Sequence, residues 1–173
     1  MFQHKSIKSF LIRAFLAIMF LSLSLFTALS IIGYNISDSG FGISNIGSDI
    51  NNYGGIYGAY FASLILTFFH YNAYFFPIFF FITGFKLLIG IENKYFFIKF
   101  FTLIVGILIL CLNLSLIDLN SGLIGIFLKN IWLDFYNEKI NINILFWVIY
   151  FFQVFLSFIL IYLGFGFKIK GIN

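Results

Sequence analysis

Charge is what this chain has least of. Of its 173 residues, 9% are Asp, Glu, Lys or Arg and 62% are hydrophobic, with a mean hydropathy of +1.06. A soluble globular domain carries roughly 25% charged residues. A soluble domain with a sizeable core is therefore excluded, and bilayer rules apply. Cysteine occurs once, at Cys111 within an apolar stretch. That excludes an internal disulfide, and the thiol reads as a small buried hydrophobe. Proline also occurs once, at Pro77. The sequence has no Gly-x-x-x-x-Gly-Lys-Ser/Thr, so it lacks a phosphate-cradling P-loop. It has no nucleophile–base or metal-ligand constellation either. The expectation is no catalytic, cofactor-binding or metal-binding residue, no cofactor, and no enzyme activity.

Apolar sequence is what remains. Twenty-eight Phe, with abundant Ile, Asn, Tyr and Lys, read most simply as a bias toward AT-rich codons. The first apolar run spans 11–33, broken only by Arg13 and preceded by His4, Lys5 and Lys8. A signal peptide has an apolar region of about 7–15 residues and a small-residue cleavage site. Residues 14–33 are too long for that, and Ala28-Leu29-Ser30 is a poor site, so this run reads as a retained span. Residues 34–54 are rich in Gly, Ser, Asn and Asp with no Lys or Arg, the composition of an aqueous loop. Continuous apolar runs without alternation predict helices, which alone satisfy their own backbone in lipid. The expected fold is an all-α membrane protein. Its four transmembrane helices fall at about 12–33, 72–90, 96–117 and 143–166. Two shorter interfacial or re-entrant helices are expected at about 55–69 and 122–136.

The stretch GGIYGAYFASLILTFFHYNAYFFPIFFF, residues 54–81, has to be divided. Its apolar run continues to Ile91, and one helix over 38 residues would be about 57 Å long, against a hydrocarbon core of about 30 Å. The chain is expected to turn near His70–Asn72. In the first piece, Gly55, Ala59, Ala62, Ser63 and Thr67 share a small-residue face suited to close helix packing. In the second short helix, Leu123, Phe127, Ile131, Trp132 and Phe135 form an apolar face. Lys129, Asn130, Asp134 and Asn137 form a polar one, the pattern of a helix lying in the membrane interface.

Lys and Arg set the orientation. Lys5, Lys8, Arg13, Lys86, Lys94, Lys99, Lys168 and Lys170 fall on one side, and only Lys129 and Lys139 on the other. Both termini and the turn at 92–95 are thereby expected in the cytoplasm, and 34–54 in the periplasm. The two halves also repeat one plan. Each has an outgoing span, an Asp-containing loop, a Gly-x-x-Gly helix start and a returning span. The starts are Gly55-Ile56-Tyr57-Gly58 and Gly122-Leu123-Ile124-Gly125, so a parallel duplication is expected. His70 reads as a satisfied interface-level histidine, Pro77 as a kink within the second span, and Asn113 as an interhelical hydrogen bond. Asp38 reads as a residue that turns the loop through its own side chain.

From Tyr34 onward the residues resemble a known family. Tyr34-Asn35-Ile36-Ser37-Asp38-Ser39 resembles the Tyr-Asn-Pro-Ser-Asp-Pro stretch of the FtsK/SpoIIIE septal DNA translocases. Asn52-Tyr53-Gly54-Gly55-Ile56-Tyr57-Gly58-Ala59-Tyr60-Phe61-Ala62 resembles their Asn-x-x-Gly-x-x-Gly-Ala-x-x-Ala. Residues 69–77 are similar to their Phe-Gly-x-x-Ala-Tyr-x-x-Pro through Ala73, Tyr74 and Pro77, with His70 in the glycine's place. Ser63 stands where an Asp often follows the Ala. Gly122 and Gly125 fall at the family's second Gly-x-x-Gly. The family-motif residues are thus Asp38, Gly55, Gly58, Ala59, Ala62, Ala73, Tyr74, Pro77, Gly122 and Gly125.

The resemblance implies that residues 1–173 are a single N-terminal membrane domain, without the family's motor and DNA-reading domains. It implies a membrane anchor and an oligomerisation and interaction domain of a cell-division DNA translocase, acting in chromosome segregation and septum formation. The partners it implies are the lipid bilayer, further copies in a homo-oligomer (a hexamer), and other divisome membrane proteins, with no direct nucleic acid contact by this domain. The location it implies is the bacterial inner membrane at the division septum. A small channel or transport subunit is the alternative, set back by the lack of an ionisable residue at the middle of any span.

Overall fold

A computed structural model describes residues 2–42, 49–91, 94–139 and 143–167. Its elements are α1 (Phe2–Ile32), α2 (Gly55–Phe69), a 3₁₀ helix (His70–Tyr74), α3 (Phe75–Leu88), α4 (Phe96–Leu116), α5 (Gly122–Lys139) and α6 (Asn143–Gly164). Four stretches are long and apolar enough to cross a membrane: Ile7–Ile32, Gly55–Leu88, Phe96–Leu116 and Ile144–Gly164. The expected all-α, four-span class is the one observed.

The boundaries depart from expectation at the first span. Helix α1 begins at Phe2, about ten residues before the expected start at 12. Hydropathy marks where lipid begins, whereas Lys, Gln and Phe continue a helix outside it with little conformational penalty. The long stretch 55–88 is interrupted as anticipated. His70 takes φ 48°, a left-handed conformation that ends α2. At 14 residues, α3 alone covers only about 21 Å. With the five residues of the 3₁₀ turn ahead of it the stretch numbers 19 residues, within the range of a membrane span by length.

Pro77 is not a mid-span kink. It is the third residue of α3, in the first turn, where its missing N–H removes none of the helix's own bonds. Pro77→Ala is therefore expected to change stability by less than about 1 kcal/mol, as read by thermal melting in detergent. A loss several times larger would restore the kink.

The chain divides into two units, Met1–Leu64 with Tyr74–Tyr95, and Ile65–Ala73 with Phe96–Asn173. In the first, α1 packs antiparallel on α3. The contact is made by small residues. A Cβ at Gly84 would lie 2.8 Å from Leu21 Cγ and 3.0 Å from the Ala17 carbonyl, and Ala17 is fully buried. Close approach of this kind substitutes for a hydrophobic drive that lipid does not supply. Phe20 stacks on Phe80 beside it. The Ser24 hydroxyl donates to the Pro77 carbonyl at 2.8 Å across the pair. Thr27 and Ser30 donate back to Ser24 and Phe26 carbonyls, so no hydroxyl of this face is orphaned. At the other end, Arg13 Nη1 reaches the Gly90 carbonyl at 3.3 Å. Ser24→Ala is expected to cost about 0.6–1 kcal/mol, the usual worth of an interhelical bond in a membrane. Detergent-phase melting of the variant checks it, and an unchanged midpoint would contradict it.

In the second unit α4 packs antiparallel on α6, and α5 packs on α4. Gly106 lies against Ile161, and Gly164 against Leu103, so the pair closes at two glycines. An aromatic group ties α5 to α6. Trp132 stacks on Tyr136 at 5.0 Å, and both meet the edge of Phe146. The expectation for Asn113 is not met. The residue is 1% exposed, but neither atom of its amide has a hydrogen-bond partner. Its level in the pair is set by α4–α6 packing at the two glycines, which does not bring a partner to the amide. Cys111 is buried as expected, and Asn72 Nδ2 donates to its sulfur at 3.1 Å.

Candidate functional site

Six of the ten family-motif residues, Gly55, Gly58, Ala59, Ala62, Gly122 and Gly125, lie on the two glycine-started helices; Asp38 is in the loop, Ala73 and Tyr74 in the 3₁₀ turn and Pro77 in α3. In the first unit the loop is held at three points. Asn35 makes the local turn, its Oδ1 accepting from the Ser37 N–H at 3.0 Å and hydroxyl at 2.9 Å. Asp38, expected to make that turn, instead accepts the Asn51 N–H at 2.9 Å, thirteen residues away. Asp38 is 3% exposed, and its other oxygen has no partner. The physical reason is position: Asn35 already occupies the turn-forming site, leaving Asp38 to bridge the loop's two ends. Ser63 supplies the third point, its hydroxyl accepting the Phe41 N–H at 2.6 Å.

Asn52 fixes the start of α2. Its Oδ1 accepts the Gly54 N–H at 2.8 Å, and its Nδ2 donates to the Ser30 carbonyl at 2.8 Å. Helix α2 is seated so closely on this amide that a Cβ at Gly58 would overlap Asn52 Oδ1 and lie 3.0 Å from the Ser30 hydroxyl. The next residue, Ala59, and Ala62 a turn further on are buried, at 2% and 0% exposure. Of the expected small-residue face, Ala59, Ala62 and Ser63 are packed, whereas Gly55 is exposed and Thr67 half-buried, and Ile65 of the opposite face is buried as well. Ala73 is buried in the 3₁₀ turn and Tyr74 is exposed.

The second unit repeats the device with different residues. Gly122 opens α5 at φ 76°, as Gly55 opens α2 at φ 65°. A Cβ at Gly122 would overlap the Phe68 carbonyl, and one at Gly125 would overlap the Ser121 hydroxyl and lie 2.7 Å from the Cys111 carbonyl. In both units the first glycine supplies the left-handed start and the second lets the helix approach the long helix that precedes it, α1 or α4.

Beside Gly122 lies a cleft of about 460 Å³, lined by His70, Asp118, Lys129, Asn130 and the apolar Leu123 and Ile126, among others. Lys129 and Asp118 form an ion pair across its rim. Asp118 stands at φ 58°, where α4 ends. Its N–H bonds the Ser115 carbonyl and the Leu119 N–H the Leu114 carbonyl, the Schellman arrangement. His70 corrects the sequence reading: its Nδ1 is buried with no hydrogen-bond partner. The left-handed turn that ends α2 sets the ring edge-on to Tyr71, at 4.1 Å. Asn52 lies inside a family motif, but its two-sided bond was not legible there. The Asp118–Lys129 pair, eleven residues apart with a chain reversal between, left no sequence signal.

Two helix pairs, four apolar spans and two glycine-started helices define a multi-pass α-helical membrane domain. No curated protein and no solved structure matches the chain. Residues 10–170 match the family described as the 4TM region of DNA translocase FtsK/SpoIIIE. The chain belongs to that family, and is its four-span membrane region.

Proposed function

We propose that this membrane region anchors a DNA-translocating motor at the division septum of a bacterium. On this reading it assembles as a homo-oligomer, the hexamer implied by the family resemblance, and contacts other division membrane proteins. It makes no direct contact with nucleic acid. The observation that carries the reading is the family match over 10–170 together with four candidate spans. The Lys and Arg pattern supports both termini in the cytoplasm of the inner membrane, with 34–54 in the periplasm. On this reading the C-terminal end lies on the side where DNA is handled. The test is a fluorescent protein fused after Asn173 and imaged in dividing cells. A midcell band is expected, and uniform membrane fluorescence would overturn the septal assignment.

A further inference from the structure

We propose that the cleft beside Gly122 binds one phospholipid whose headgroup carries a primary ammonium next to its phosphate. The proposal concerns a ligand of the second unit and stands independently of septal anchoring. At about 460 Å³ the cleft is within the range of small-molecule sites. It lies where α4 ends and α5 begins, in a chain embedded in lipid, so phospholipid is the ligand in greatest supply.

The charges select the headgroup. Lys129 is largely covered, with a side chain 24% exposed, whereas the Asp118 side chain is 86% exposed. An ionised carboxylate accepts at about four lone-pair sites, and Lys129 occupies only part of that capacity. The cleft therefore presents a cation and a carboxylate side by side, with no net charge between them. An anionic headgroup would meet Lys129 but also the carboxylate. A headgroup with phosphate and ammonium in the reverse order meets both. A primary ammonium has N–H donors for Asp118, and a trimethylated one has none. Leu123 and Ile126, about half exposed on the same helix, offer the glycerol and first acyl carbons an apolar wall.

The backbone points to the same place. Among the described residues three non-glycine positions have positive φ: His70, Tyr95 and Asp118. Two of them line this cleft. Left-handed non-glycine residues cost of order 1–3 kcal/mol and cluster at ligand-binding sites. Gly would satisfy the C-terminal cap of α4 more readily than Asp118, but it would bring no carboxylate.

The test is native mass spectrometry of the delipidated full chain given equimolar phosphatidylethanolamine, phosphatidylcholine and phosphatidylglycerol. One phosphatidylethanolamine is expected to be retained with about tenfold preference over phosphatidylcholine, the effect of one charge-assisted hydrogen bond. Asp118→Gly suits the local φ and keeps the fold, as circular dichroism verifies, and it is expected to bring the two lipids to parity. Lys129→Gln is expected to weaken retention of all three. Equal retention by the unaltered chain, a preference for phosphatidylglycerol, or a preference surviving Asp118→Gly would overturn the proposal. Soluble glycerophosphoethanolamine is expected not to displace the lipid. Displacement at the same concentration would overturn the lipid assignment in favour of the free headgroup.

Discussion

Gly122→Ala is expected to destabilise the second unit by about 2–5 kcal/mol, whereas Gly55→Ala, at nearly the same backbone conformation, costs only about 1–2 kcal/mol. The two glycines share a left-handed φ, of 76° and 65°. An L-residue there costs roughly 1–2 kcal/mol at either position. The surroundings differ. A Cβ at Gly55 meets nothing within 4 Å, but at Gly122 it overlaps the Phe68 carbonyl and lies 2.8 Å from the Phe69 nitrogen. Those atoms are backbone and cannot swing aside, so an overpacking cost of about 1–3 kcal/mol adds to the strain. Trp132 and Trp147 are the only tryptophans and both belong to the second unit. Thermal melting followed by their fluorescence in detergent reports this unit directly. Gly55 lies in the first unit, so its variant is followed by circular-dichroism melting; equal shifts for the two variants by that common readout would show that conformation alone, and not close approach, selects glycine at 122.

Asn52→Leu is the second large effect, expected at about 2–6 kcal/mol. The side chain is 5% exposed and bonds two backbone groups, the Gly54 N–H and the Ser30 carbonyl. Leucine fills similar volume but leaves both groups unpaired, at about 1–3 kcal/mol each. Asn52→Asp retains the acceptor for Gly54 and loses the donor to Ser30, so it is expected to fall between Leu and the unaltered chain. Circular-dichroism melting and the rate of proteolysis at the loop preceding α2 measure the series. A leucine variant that melts with the parent would show that the clamp is dispensable.

How much of this was legible in the sequence depends on the range of the interaction. The four spans were readable because lipid imposes a single requirement, about 20 apolar residues, that the chain meets locally. The break at His70 was readable from length alone, since 38 apolar residues exceed one crossing. The small face of α2 was visible as Ala59, Ala62 and Ser63 at helical spacing. The clamps were not visible. Ser24 to Pro77, Ser63 to Phe41 and Asn52 to Ser30 join residues 22 to 53 positions apart. A Ser in an apolar helix reads the same whether it bonds its own helix, as Ser30 does, or a neighbour, as Ser24 does. Asn113 and His70 were misjudged for the same reason: a polar side chain invites the assumption of a partner, and only the packing decides whether one arrives.

The division of the chain has a consequence for biogenesis. Residues 65–73 belong with α4, α5 and α6 rather than with the helices that flank them in sequence. Phe68 acquires its neighbour Gly122 only after 54 further residues have been made. At synthesis rates of about 5–20 residues per second, the end of α2 waits roughly 3–10 s for the surface it packs on. Ribosome-arrested chains of increasing length are expected to protect a cysteine placed at Thr67 only once they extend past the start of α5. Until then the nascent protein holds an apolar segment without its seat, and the translocation machinery or the lipid must shelter it.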